Sequence, residues 1–139
     1  DSPYRSLVSN VQSKSILFPG PQRDIGALMN ISDIGVLTSN VRMHGEGISN
    51  ALLEFGAIGI PFLATNNGGT PEILGKDEKW NLLKPYEPIE LAEKIGKLLD
   101  DPDYRRELGG KCKQAVEKKF GIERMVNEYE ELFKVVIIR

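Results

Sequence analysis

Short apolar runs alternate with helical patterns along this chain of 139 residues. The runs that predict strands are 15–18, 34–38, 62–65 and, more weakly, 80–83. The patterns that predict helices are 2–11, 24–31, 49–58, one turn at 72–74, and three longer helices beginning at Pro88, at Asp101-Pro102 (running to about Lys119) and at Ile122. Continuous apolar strands are typical of a parallel sheet that helices cover on both faces. We therefore expect one α/β domain over residues 1–139, with a Rossmann-like parallel sheet flanked by helices.

The composition argues against several classes of function and of binding site. A formal net charge of -2 and a pI of about 5.5 argue against nucleic acid held by bulk electrostatics. The lone Cys112 excludes an internal disulfide, fits a reducing compartment and falls on the apolar stripe of a predicted helix, so we interpret it as core packing. With one His and one Cys, a zinc site is not expected, and we predict no bound metal. No apolar run reaches membrane-spanning length.

Two carboxylates, Glu46 and Glu54, flank the start of the helix predicted from Ser49. Nearly every residue from 51 to 58 is apolar, which predicts burial on most sides of that helix. A carboxylate in such a segment is costly without a partner, and no Lys or Arg lies nearby in the sequence, so we expect a ligand hydroxyl to pair with Glu54. The alternative is that Glu46 closes a turn and Glu54 reaches solvent at a helix edge. The pair, together with the downstream glycines, favours a site.

The spacing of these carboxylates suits a nucleotide sugar. Glu54 would lie ~7 Å along a helix that starts at Ser49, at ~1.5 Å per residue. The free amides of the first turn favour an anion such as a phosphate. Gly68-Gly69 follows a predicted strand, where missing side chains let the backbone approach a ligand. In parallel sheets ligands sit beyond the carboxyl ends of the strands, where we expect the loops 19–24, 39–49 and 65–72 to gather.

The run from Glu46 to Glu54 resembles the Glu-x7-Glu signature of retaining glycosyltransferases of the GT-B fold, in the large group 1 family (family 4). Four further segments are similar to that family, in order and at matching spacing over nearly the whole chain: 33–37, 59–65, 68–74, and 98–102 with Lys119-Phe120. The resemblance implies the nucleotide-sugar-binding, C-terminal half of a two-domain enzyme.

The resemblance also implies roles for individual residues. In the family, the carboxylate at the Glu54 position holds the ribose hydroxyls, and the one at the Glu46 position contacts the donor sugar, which makes Glu46 our catalytic candidate. The backbone at the helix start meets the sugar and the diphosphate, and the loop 19–23 lies near the base. The donor-binding residues that we predict are Arg23, Glu46, Gly47, Ile48, Ser49, Asn50, Glu54, Gly68 and Gly69.

The resemblance implies sugar transfer of the hexosyltransferase type, from a nucleotide-diphosphate sugar to a carbohydrate or lipid-linked acceptor. It also implies that this transfer needs no metal and no cofactor, and that it serves the synthesis of surface polysaccharide or lipopolysaccharide. Nothing matching the family's first strand–helix segment, which carries the diphosphate-binding Arg and Lys, or its N-terminal acceptor domain precedes Asp1. We therefore expect this chain alone to be inactive. We expect the full-length protein in the cytoplasm, with peripheral association at the inner face of the membrane as an option, and without a nucleic-acid partner.

Two other functions stay open. One is a non-catalytic nucleotide-sugar-binding module that acts with a separate partner chain. The other is a flavodoxin-like signalling or interaction domain, which ranks last because no predicted strand leads to a phosphorylatable Asp: the residues that follow the strands are Pro19, Ser39 and Asn66.

Overall fold

A computed structural model describes residues 15–42, 45, 47–74 and 79–137. The predicted helix at 2–11 and the predicted catalytic residue Glu46 lie outside the described residues. In chain order the elements are α1 (Ile25–Asn30), β1 (Gly35–Leu37), α2 (Asn50–Ala57), β2 (Phe62–Thr65), α3 (Thr70–Ile73), a 3-10 turn (Lys79–Asn81), β3 (Leu82–Leu83), α4 (Pro88–Asp100), α5 (Pro102–Phe120) and α6 (Ile122–Ile137).

The sheet has three parallel strands in the order β1-β2-β3. Val36 lies opposite Leu63, and Ala64 lies opposite Leu82. Parallel neighbours need a crossover connection, which α2 supplies between β1 and β2, and which α3 with the 3-10 turn supplies between β2 and β3. The parallel α/β fold predicted from the alternating pattern is therefore confirmed.

The core lies on both faces of β2, because successive strand side chains point to opposite faces. Phe62 and Ala64 pack in a cluster with Leu52 of α2 and with Cys112 and Val116 of α5. On the other face, Leu63 packs in a second cluster with residues from β3, α4 and α5: Leu83, Leu98 and Leu108. Cys112 is fully buried, which confirms its interpretation as core packing.

Helix α2 is held against α5 through glycines. A β-carbon added at Gly56 would lie 2.5 Å from Val116 Cγ2, and one added at Gly109 would lie 2.1 Å from the carbonyl oxygen of Gly59. Both distances are well below an ordinary contact, so only glycine lets the two segments approach this closely. Since α2 carries Glu54, this contact sets where the predicted site lies on the domain.

Two expectations about local structure are wrong. The strand expected at 15–18 does not form: residues 16–18 have no regular structure, and Leu17 is 83% exposed. A strand needs a neighbour to satisfy its backbone groups, and none of the described strands pairs with this segment. Helix α2 is also less buried than predicted. Only Leu52 and Gly56 are buried, because the helix packs on one side.

Helix α6 has the apolar stripe that its sequence predicts, but in the described part of the chain none of its residues is buried. Its exposed apolar side chains are Ile122, Met125, Val126, Tyr129, Leu132, Phe133, Val135, Val136 and Ile137. No helix in the described ranges combines the length and apolar character needed to cross a bilayer.

Candidate functional site

The start of α2 is the first part of the candidate site. Asn50 is the first helical residue and is exposed, and Ser49 is the N-cap, 8% exposed. The carbonyl of Ser49 accepts from the amide of Leu53 at 3.1 Å, but its side chain makes no capping hydrogen bond within the described residues. The first amides of an α-helix have no partner inside the helix. Those of α2 are therefore not satisfied by the cap side chain, which is the arrangement that an anion-binding helix start needs.

The two predicted glycine motifs meet beside this helix start. A β-carbon at Gly69 would lie 2.8 Å from Ile48 Cδ1 and 3.0 Å from the carbonyl oxygen of Gly47. Gly68 has a positive φ of 53°, a conformation that side chains rarely allow. The loop after β2 and the loop before α2 thus touch through backbone that only glycine permits. The structure thus places Gly69, which follows Gly68, against Gly47 and Ile48.

Glu54 and Arg23 lie at a second place, along the side of α2. They line one cavity of about 460 Å³, whose other walls come from α1 and the end of α2: Asp24, Ile25, Gly26, Met29, Ala57 and Ile58. Glu54 is exposed. The argument that burial of this carboxylate requires a ligand hydroxyl as partner is therefore wrong. The structure instead agrees with the alternative, in which Glu54 reaches solvent at the edge of the helix. Tertiary folding nevertheless brings a cation, Arg23, to the cavity that Glu54 lines.

Local structure explains the position of Arg23. Asp24 is the N-cap of α1, and its Oδ1 accepts from the amide of Ala27 at 2.9 Å. Gln22 Nε2 donates to the carbonyl of Pro19 at 2.7 Å, and Gly20 has a positive φ of 68°. The loop 19–24 is thus a turn closed by its own side chains, and the capped helix places Arg23 at its end. This loop lies beside α2, whereas the loops after β1 and β2 lie at the carboxyl ends of the strands.

Lys119 joins α5 to the end of α3, the helix whose N-cap is Gly69, and the sequence did not predict this contact. Its Nζ donates to the carbonyl of Glu72 at 2.9 Å and to that of Leu74 at 2.6 Å. Free carbonyls at the end of a helix attract lysine side chains. Here the helix is α3, while the lysine lies in the last turn of α5. A lysine in a last turn is visible in the sequence, but its bonding to another helix is not.

Comparison with known proteins shows the family to which this chain belongs. Residues 6–115 match the family model described as glycosyl transferases group 1. N-acetyl-alpha-D-glucosaminyl L-malate synthase of Bacillus anthracis is 29% identical over 94% of this chain and 34% of its own length. The capsular polysaccharide biosynthesis glycosyltransferase CapM of Staphylococcus aureus is 23% identical over 93% of this chain and 35% of its own.

Among solved structures, the C-terminal domain of a group 1 family glycosyl transferase (LpcC) from Francisella tularensis matches with a TM-score of 0.63 and 29% identity. That match covers 77% of this chain and 53% of the other. The present chain spans about a third of the length of the two sequence relatives.

Proposed function

Because this chain belongs to the glycosyl transferases of group 1, we propose that it binds a nucleotide-diphosphate sugar along α2. The observation that carries the proposal is that Arg23 and Glu54 line one cavity, while the glycine motifs touch at the start of the same helix. A ligand with two ends of different chemistry fits such a site. The nucleoside would lie at the cavity and the diphosphate at the helix start.

At the nucleoside end, we assign the ribose hydroxyls to Glu54 and the base to Arg23. A carboxylate only accepts hydrogen bonds, and it can take one from each of two neighbouring hydroxyls. A guanidinium is planar and stacks on flat rings, as a base requires. Among the described residues that line the cavity, Arg23 is cationic and Asp24 and Glu54 are anionic, so the cavity suits the neutral nucleoside better than the anionic phosphates.

At the diphosphate end, the amides of Gly47, Ile48 and Ser49 would donate to the phosphates and the sugar, with Asn50 beside them. The closeness of Gly69 to Gly47 and Ile48 supports a site in which backbone approaches the ligand. Charge that develops on the departing diphosphate would be stabilised by fixed dipoles. We propose that Glu46 acts on the donor sugar and that transfer is metal-independent and retains the anomeric configuration.

We further propose that the full-length protein transfers a hexose to a carbohydrate or lipid-linked acceptor in surface polysaccharide or lipopolysaccharide synthesis. The relative named for capsular polysaccharide biosynthesis supports this. In this proposal the acceptor binds to a second domain. The protein lies in the cytoplasm or is attached peripherally to the inner face of the membrane. The present chain, about a third of its relatives' length, would bind donor without turning it over.

The test compares Glu54→Gln with wild type in calorimetric titrations of UDP, GDP, ADP and their sugars. Hydrogen bonds to a charged group contribute about 1.5–3 kcal/mol, so we expect affinity for the preferred nucleotide to fall about 10- to 100-fold. The 2′-deoxy form of that nucleotide should bind wild type more weakly and lose little further affinity in the variant. Glu93→Gln, an exposed carboxylate on α4, is the matched control. Equal affinity of wild type and Glu54→Gln for the ribonucleotide would refute the ribose assignment.

A further inference from the structure

Tyr86 has an unusual backbone conformation in the turn from β3 into α4. Its φ is 64°, and it is the one non-glycine residue with a positive φ in the described part of the chain. This conformation carries a steric cost for a side chain, and it persists where surrounding contacts hold it, often at functional sites. Because Tyr86 is 57% exposed, packing in the core does not explain the conformation.

The contacts of Tyr86 reach the loop that follows β1. Its hydroxyl donates to Asn40 Oδ1 at 2.6 Å. The same oxygen accepts from the amide of Arg42 at 3.0 Å, a bond of the kind that closes an Asx turn. The guanidinium of Arg42 lies 5.0 Å from the centre of the Tyr86 ring, within the range of a cation–π interaction. Tyr86, Asn40 and Arg42 thus form one connected group, the Tyr86 cluster.

The Tyr86 cluster lies at the carboxyl edge of the sheet. Tyr86 and Asn40 line a cavity of about 520 Å³ together with Thr65, the last residue of β2. Within the described residues, this cavity shares no lining residue with the cavity of Arg23 and Glu54. A change in the cluster is therefore expected to leave the proposed nucleoside site as it is.

The loop that the cluster contacts leads to the start of α2. Arg42 precedes Gly47 by five positions, and Ser49 is the N-cap of the helix. Near this end of the connection, Gly47 and Ile48 lie against Gly69. The connection between β1 and α2 is therefore held at two places, by the Tyr86 cluster after the strand and by the glycine contact before the helix.

We propose that Tyr86 is a positioning residue for the donor. Through Asn40 and Arg42 it fixes the loop after β1, and it thereby helps to place the amides of 47–49 for the diphosphate. The inference rests on the proposed function, since it deepens the assignment of the diphosphate to the start of α2.

The size of the effect follows from the length of the connection. With Arg42 fixed, the part between fixed ends shortens from residues 38–48 to residues 43–48. The entropic cost of closing a connection grows as about 3/2 RT times the logarithm of its length, so this shortening corresponds to about a 2.5-fold gain in affinity.

The test is amide-detected NMR titration of wild type and variants with UDP, GDP and ADP, and separately with the matching nucleosides. Tyr86→Phe removes the hydroxyl, and Asn40→Ala removes its acceptor. Each should weaken binding of the preferred nucleoside diphosphate about two- to fourfold and leave binding of its nucleoside unchanged. Asn40→Asp keeps an oxygen that accepts from both donors, so it should restore wild-type affinity. Tyr129→Phe, an exposed tyrosine on α6, is the matched control.

Two further readouts separate positioning from a general loss of structure. Tyr86→Phe and Asn40→Ala break the same hydrogen bond, so the double variant should bind the nucleoside diphosphate no more weakly than Asn40→Ala alone. Relaxation of the amides of 47–49 reports on the loop without ligand. Their motion should increase in Tyr86→Phe and Asn40→Ala and return to the wild-type level in Asn40→Asp.

The outcomes distinguish this inference from the proposed function. Equal affinity of wild type and Tyr86→Phe for a nucleoside diphosphate that Glu54→Gln binds more weakly overturns the positioning role alone. An equal loss of affinity for nucleoside and nucleoside diphosphate also overturns it, because that result shows a general structural defect. Failure of Asn40→Asp to restore affinity overturns the hydrogen bond as the cause. If wild type binds none of these ligands, the proposed function is wrong, and the positioning role with it.

Discussion

Alanine at Gly109 and alanine at Gly110, neighbouring positions in α5, are expected to change the free energy of unfolding in opposite directions. Nothing lies within 4 Å of a β-carbon at Gly110. Alanine is favoured over glycine inside a helix by about 0.5–1 kcal/mol, so Gly110→Ala should stabilise the protein by roughly that amount.

At Gly109 the same gain is outweighed by a clash. The added β-carbon would lie 2.1 Å from the carbonyl oxygen of Gly59 and 3.2 Å from Pro61 Cδ. The nearest atom belongs to the backbone and cannot rotate away, so α5 must move away from the turn after α2 by about 1 Å or more. Overpacking of this kind costs about 1–3 kcal/mol, occasionally more. We expect the upper end of that range and a net loss of about 2 kcal/mol for Gly109→Ala.

Urea unfolding followed by far-UV circular dichroism measures both variants against wild type. With an unchanged denaturant slope, the midpoint should rise for Gly110→Ala and fall for Gly109→Ala. In thermal melts, about 4 °C per kcal/mol is expected for a chain of this size. If Gly109→Ala were as stable as Gly110→Ala, α5 would not lie against Gly59, and the position assigned here to α2 and Glu54 would be wrong.

Two further predictions concern side chains that support the domain. Lys119→Met removes both hydrogen bonds to the end of α3 and should cost about 1 kcal/mol, with faster amide hydrogen exchange at 70–74, while the exposed neighbour Lys118→Met should change neither. A hydrogen bond from Lys94, and then one from the amide of Lys84, hold the pKa of Glu90 below its ordinary value of 4.5. Because the folded-state pKa is depressed, this stabilisation is present above the unfolded pKa and is lost as pH falls through the folded value. Unfolding midpoints of wild type and Glu90→Gln should therefore converge on acidification below about pH 4.5, and a difference that is constant with pH would contradict the role given to the charge.

Local patterns predicted most of the regular structure. The strand run 62–65 and the helices after Pro88 and Pro102 were predicted because burial on both sides and helix capping each leave a short-range signal. The prediction of a strand at 15–18 was wrong, although the apolar residues of this segment match the local pattern of a strand. A strand also needs a neighbouring strand to pair with, and a local pattern does not show whether another part of the chain supplies one.

Some features of the candidate site were likewise predicted from local patterns, and others were not. Gly47 and Gly69 were predicted as site residues from motifs, and their contact follows from the order of the strands and loops. The exposure of Glu54 was not predicted, because an apolar helix sequence does not say how many of its sides another element covers. The approach of Arg23 to the same cavity joins residues 31 positions apart, which no local pattern records.

By itself, the sequence predicted the buried strand at 62–65, the helices that begin at Pro88 and Pro102, and the parallel direction of the strands. Only the tertiary structure decided that Gly109 touches Gly59, that Lys119 binds the end of α3, and that Tyr86 closes a cavity with Asn40. Burial and capping are properties of a residue and its near neighbours. Contacts between elements depend on how whole helices pack, because a shift of about 1 Å in a closely packed interior makes or breaks them.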